Sequence, residues 1–271
     1  MRHFARSRDN VLRSDGPPGP KCQANQQESE NAMTKFEIAR RMFLGGALAC
    51  AGLTPGAAMA LREEVMIRTR ESQTQMTPAE AIALLKEGNA RFVEARQAER
   101  DWLEYMQVTA AGQYPFAAVV GCIDSRVPPE IIFDQGIGDI FSARVAGNFV
   151  DDDILGSLEF ACALSGAKAI VVVGHTQCGA IRGAVDNVIY GNLTTTLANI
   201  EPAVAAVEGF DGARTVANGA FVQAVADKNV ELAIARILQR SPILAAMVAE
   251  GNLALAGAMY DLTTGAVTFM D

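Results

Sequence analysis

The chain has 271 residues, half of them apolar, a fifth charged and only 6% aromatic. That globular composition excludes a disordered, collagenous or polytopic membrane protein and provides for one large domain. Twenty-three Lys and Arg against 31 Asp and Glu give a net charge of −8, so a basic surface for nucleic acid is not the default reading and nucleic acid is not expected as a partner. Five cysteines are too few for a disulfide scaffold, and the only histidines are His3 and His175.

Residues 1–60 read as an extension and export segment rather than fold. Arg40-Arg41-Met42-Phe43-Leu44 leads into an uncharged Ala/Gly/Leu stretch ending in Ala58-Met59-Ala60, the layout of a signal peptide cleaved after Ala60. Paired arginines followed by Phe and Leu resemble the twin-arginine signal of bacteria, although Ala39 and Gly45 depart from its polar flanks, and a periplasmic protein is expected. The uncharged run has the length of a bilayer span, but Gly45, Gly46, Gly52, Pro55 and Gly56 favour a cleaved signal over a retained anchor. Ala47-Leu48-Ala49-Cys50 matches a lipoprotein signal only weakly. Met33 would open a signal of conventional length and is the expected start. Cleavage removes eight Lys or Arg and five Asp or Glu, which takes the net charge from −8 to −11. It leaves Cys122, Cys162, Cys178 and a single histidine, His175.

Residues 61–271 read as one domain. Thr77-Pro78-Ala79-Glu80 is a capping box that opens a helix, with Ala81, Leu85 and Phe92 as its apolar stripe. The runs 116–121, 140–145 and 169–174 are short, apolar and bounded by turn residues, as buried strands are. Between the last two, 151–165 starts with three carboxylates and continues at helical spacing, so the acidic triplet reads as a helix N-terminus. A helix is expected over about 218–239, and Ser241-Pro242 restarts one through Glu250. Residues 253–260 and 267–270 read as a closing hairpin or edge. Buried strands alternating with helices imply an α/β fold: a mainly parallel sheet covered on both faces, with sites at the strand C-terminal ends.

Two strand ends hold the chemistry. Cys122, Asp124 and Arg126 leave the first strand, and His175 and Cys178 leave the third. Two thiolates and an imidazole converging on one sheet edge suit tetrahedral zinc, one ion per subunit. The alternatives at these residues are a Cys122–Cys178 disulfide, expected in an oxidising compartment, and a core histidine; the three-residue spacing of His175 to Cys178 opposes the latter. Twin-arginine export carries folded proteins and would let the metal load first. Asp124 then decides the function. As a fourth ligand it closes a structural site; held away by Arg126, it orients a water whose pKa the metal lowers. Zinc with two thiolates and a neutral imidazole carries no net charge and polarises water weakly, which makes such an orienting group necessary. Cys162 and Trp102 read as packing, and Asp139 and Arg144 as structural charges.

Cys122-x-Asp124-x-Arg126 with His175-x-x-Cys178 resembles the β-class carbonic anhydrases. So do Gly88-Asn89-x-Arg91-Phe92, Gln113-x-Pro115, Gly138-Asp139-x-Phe141, Arg144-Val-Ala-Gly-Asn148, Ser157-Leu-Glu-Phe160 and Tyr260-Asp-Leu-x-x-Gly265, and the likeness covers roughly residues 77–270. The resemblance implies reversible hydration of carbon dioxide to bicarbonate and a proton. It implies zinc on Cys122, His175 and Cys178, an Asp124/Arg126 catalytic dyad, and bicarbonate held by Gln113 and the Gly179 amide. It also implies a homodimer or homotetramer, with the Thr77 helix as an arm across the partner and the sheet continuing between subunits. Val119 stands where the pH-gated, bicarbonate-inhibited subtype would have Trp, which favours an open site at neutral pH. Two other readings remain: a carbon disulfide or carbonyl sulfide hydrolase on the same scaffold, and a non-catalytic zinc protein.

Overall fold

The computed structural model describes residues 67–270. The export signal and the Met33 start lie outside the described residues. The helices are α1 (Arg70–Gln75), α2 (Pro78–Val93) and α3 (Trp102–Thr109), then α4 (Pro129–Ile132) and α5 (Asp152–Glu159). After them come α6 (Gly179–Val185), α7 (Leu193–Ala198), α8 (Glu201–Ala206), α9 (Gly219–Arg240) and α10 (Pro242–Ala249). The strands are β1 (Ala117–Gly121), β2 (Ile140–Arg144), β3 (Ala169–His175), β4 (Ala254–Tyr260) and β5 (Val267–Phe269), in the order β2-β1-β3-β4-β5. Pairing is parallel except between β4 and β5, so the α/β class and the closing hairpin are as the sequence predicts.

The sheet is covered on both faces, and the side-chain alternation of β1 and β3 sorts the core. Ala118, Val120, Ile170 and Val172 pack with α5, α9 and α10; Ala117, Val119, Val171 and Val173 pack with α2, Phe116 and Phe133. A third cluster joins Cys122 and Cys178 to α6, α8 and the first half of α9. Expected caps form: Thr77 accepts from the Glu80 N–H while Glu80 reaches back, Asp151 accepts from Ile154, and Asn218 and Ser241 cap α9 and α10. No single helix among the described residues is long and apolar enough to cross a membrane.

Three details go beyond the expected elements. First, the Thr77 helix is anchored on this chain's own sheet, with Ala81 and Leu85 fully buried. Burying Leu85 alone contributes roughly 2 kcal/mol to that attachment. The Gly88-Asn89-x-Arg91-Phe92 motif explains the attachment. Asn89 donates to the carbonyls of Ile132 and Gly265 and accepts from Val267, Arg91 pairs with the buried Asp134 at 2.6 Å, and Phe92 lies against Gly265. Secondly, the 151–165 helix ends in a π turn over Phe160–Leu164, with Cys162 in the core. Thirdly, Trp102 opens α3 half exposed, its ring centroid 6.4 Å from that of Tyr105.

Candidate metal centre

β1 and β3 are adjacent and parallel, with Gly121 opposite Val173, so the residues beyond their last paired positions emerge side by side. Cys122 leaves β1, His175 is the last residue of β3, and a left-handed Gln177 (φ 55°) turns the chain so that Cys178 caps α6. The three ligand atoms lie within 4.8 Å of one another and all three residues are buried. The sulfurs are 3.9 Å apart. A disulfide requires about 2.05 Å. Two sulfurs about 2.3 Å from one tetrahedral centre must span about 3.8 Å. Cys122 and Cys178 are free thiols with the separation of metal ligands, and the disulfide alternative fails.

The histidine supplies an independent fit. His175 Nδ1 lies 3.0 Å from the Thr176 carbonyl, which assigns its proton there and leaves the Nε2 lone pair facing inward. Nε2 is buried without a hydrogen-bond partner, a costly state unless a cation meets it. The thiols carry the same signature. Hydrogen bonding from Cys178 lowers Cys122 to about 4, assisted by the Gly147 N–H. Cys178, beside that thiolate and buried, is pushed up. One thiolate opposes the next; a divalent cation between them removes the conflict.

Asp124 stands at the mouth of the group, 3.9 Å from His175 Nε2, and is held by Arg126. The guanidinium donates from Nε to Oδ1 at 2.9 Å and from Nη2 to Oδ2 at 2.7 Å, and the Arg126 backbone N–H donates to Oδ1 at 2.9 Å. These bonds hold the Asp124 carboxyl well below the usual carboxylate range, so it is an ionised acceptor at neutral pH. Cys122 and Asp124 line a cavity of about 250 Å³, with Gly179 and Ala180 at the start of α6 and apolar walls from Ile123, Leu193 and Leu197.

Gln113 is not at this site. It is exposed and precedes β1, whereas Cys122 follows it. Five strand residues, about 16 Å, separate the two ends. The chain path therefore places Gln113 at the opposite end of β1 from Cys122. Conversely, Arg144, read as a structural charge, secures the site: its Nε donates to the Cys122 carbonyl at 2.8 Å and its Nη2 to the Asp124 carbonyl at 2.6 Å. The Gly147 N–H donates to Cys122 Sγ at 3.3 Å. Both residues belong to the Arg144–Asn148 motif, the available signal for them. Asp139 remains structural, accepting from the Gly136 N–H.

The carbonic anhydrase family model matches residues 117–267, more than half of the chain. Carbonic anhydrase 2 of Mycobacterium tuberculosis is 37% identical over 200 residues, 72% of this chain and 93% of the relative. Among solved structures, tetrameric β-carbonic anhydrases from Sordaria macrospora match at 28% identity and a TM-score of 0.54, covering 62% of this chain and 86% of that one. The Coccomyxa β-carbonic anhydrase, solved with acetazolamide, matches at 26% identity and a TM-score of 0.55, covering 62% of this chain and 77% of that one. With the parallel sheet and the Cys/His/Cys group at its edge, these matches establish that the chain belongs to the β-class carbonic anhydrase family.

Proposed function

We propose that this chain catalyses the reversible hydration of carbon dioxide to bicarbonate and a proton, with one zinc ion held by Cys122, His175 and Cys178. The observation that carries the reading is the buried two-sulfur, one-nitrogen group beneath an Asp124 carboxylate that Arg126 engages on both oxygens. Zinc, when bound, supplies Lewis acidity that lowers the pKa of water toward neutrality.

The chain's own residues do the rest. Asp124 stays ionised, accepts a hydrogen bond from the reacting water and orients it; Arg126 holds the carboxylate off the ligand group so that the fourth position stays open. Ile123, Leu193 and Leu197 provide an apolar wall suited to a small uncharged gas. The Gly179 amide, at the first position of α6, favours the bicarbonate anion. His175 is fully buried and cannot relay the product proton, which passes to a carboxylate or to buffer.

Gln113 can take part in holding bicarbonate only in the pocket of a second copy, so its role and a homodimer or homotetramer stand together. Export to the periplasm rests on Arg40-Arg41 and Ala58-Met59-Ala60. The test is stopped-flow hydration by metal-quantified protein across about pH 6.5 to 9, beside Asp124→Ala, a window that spans the pKa near 7 of water on zinc. Activity near neutrality with one zinc per chain, and a loss of about 100-fold or more in the variant, is the expected result. No hydration at any pH despite full zinc would refute the reading and move it to the sulfur-gas hydrolase or the closed site.

A further inference from the structure

Gly147 is bonded in two directions. Its N–H donates to Cys122 Sγ at 3.3 Å, and its carbonyl accepts from Asn229 Nδ2 at 2.8 Å, across 82 residues of sequence. The Asn148 N–H closes a turn on the Val145 carbonyl at 3.0 Å, and Gly147 has φ 87°. That is the third position of a type II turn. In this turn the middle peptide, which carries the Gly147 N–H, is flipped relative to type I, so the turn type decides whether the N–H faces the sulfur. A Cβ at Gly147 would also meet Ile200 Cδ1 at 2.4 Å.

Asn229 lies in the interior of α9, only 3% exposed, with Val225, Ala226, Val230 and Ala233 buried around it on the same helix. Asparagine is a mediocre helix former, and a buried carboxamide is costly unless hydrogen-bonded. Packing alone would be served better by an apolar side chain.

We propose that Asn229 is a positioning residue for the Cys122 thiolate: its carboxamide pins the Gly147 carbonyl, in the peptide next to the one that carries the Gly147 N–H, and so keeps the turn that aims that N–H at the sulfur. The inference rests on the metal-centre reading above. An N–H···S bond draws charge from the thiolate and fixes its direction, as partners of metal ligands do elsewhere.

The experiment titrates full-length protein, Asn229→Leu and Ile237→Ala with zinc against a competing chelator, and with cobalt by absorbance. Ile237 is fully buried on the same helix and belongs to the core face away from the cysteines, so it controls for lost stability. Asn229→Leu is expected to lower zinc affinity about 10- to 100-fold and to move the thiolate-to-cobalt charge-transfer band. Ile237→Ala, at comparable loss of Tm, should leave both in place. Native affinity and an unmoved band in Asn229→Leu would overturn the proposal, as would equal changes in the control. Wild-type protein that binds neither metal would instead overturn the metal-centre reading. If Asn229→Leu does not fold, nitrogen-labelled wild-type protein loaded with cadmium is read by NMR. A through-hydrogen-bond coupling from the Gly147 amide to the metal, with slowly exchanging Asn229 carboxamide protons, supports the proposal; absence of either overturns it.

Discussion

Replacing Arg144 by Leu removes two charge-assisted hydrogen bonds, at 2.8 and 2.6 Å, from the carbonyls of Cys122 and Asp124. Bonds of this kind contribute about 1.5–3 kcal/mol each, and Arg144 is only half-buried, so water can replace part of what is lost. The low end, roughly 3 kcal/mol for the pair, is the expected destabilisation, or about 6–12 °C in Tm for a domain of this size. Activity should suffer more than stability. The two carbonyls flank the segment that carries a metal ligand and the orienting carboxylate, and a displacement of about 1 Å at reacting groups costs about 100-fold in rate. Arg144→Lys keeps the charge but not the two-pronged geometry and should fall between. Denaturant unfolding and stopped-flow hydration on the same zinc-quantified samples separate the two effects. Arg144→Leu that loses stability but keeps its kcat would refute the argument that Arg144 organises the site.

Three further predictions follow from the same geometry. Stripping the metal should abolish hydration until zinc is restored, and at pH 7 the stripped protein should alkylate at Cys122, which lines the cavity and falls to about 4, well before Cys162, which burial pushes up to about 12; equal labelling of the two would contradict this. Burial raises the Asp134 pKa, but hydrogen bonds from Arg100, Arg91 and the Ala98 N–H outweigh it and leave it lowered. Its stabilisation is therefore present above the unfolded value of about 3.9 and lost as pH falls through the folded one. Asp134→Asn should cost about 3–5 kcal/mol at pH 7, with the gap closing in acid, as pH-dependent unfolding would report; a gap independent of pH would remove the charge from the explanation. If Gln113 serves the pocket of a second copy, mixed assemblies of Gln113→Ala with Asp124→Ala should regain activity that neither parent has, because one pocket then holds both intact residues; no regain in a verified mixed assembly would place Gln113 outside the reaction.

Much of the site was legible because its chemistry is stated by residue type over short distances. Thiolate, imidazole and carboxylate have few roles to choose among, the spacings Cys122-x-Asp124-x-Arg126 and His175-x-x-Cys178 are local, and hydrophobic periodicity assigned both loops to strand ends of a parallel sheet. The Asp124–Arg126 pair is two residues apart and needs no tertiary contact to be expected. The Thr77 capping box and the β4–β5 hairpin were readable for the same reason.

What escaped the sequence was direction and distance between remote segments. Whether the Thr77 helix lies on its own sheet depends on Asn89 meeting carbonyls near residues 132 and 265. That Gln113 cannot enter its own pocket follows from the chain running the length of β1 before it reaches Cys122. Arg144 read as a structural charge until its guanidinium was found on two backbone carbonyls, and nothing in the sequence marked Asn229 until it met Gly147. Sequence determined which atoms are able to bind a metal and orient water, since that is intrinsic to the side chains. Only the tertiary structure decided which backbone groups hold them in place, because a hydrogen bond is set by where two chains cross in space and leaves no period or spacing behind.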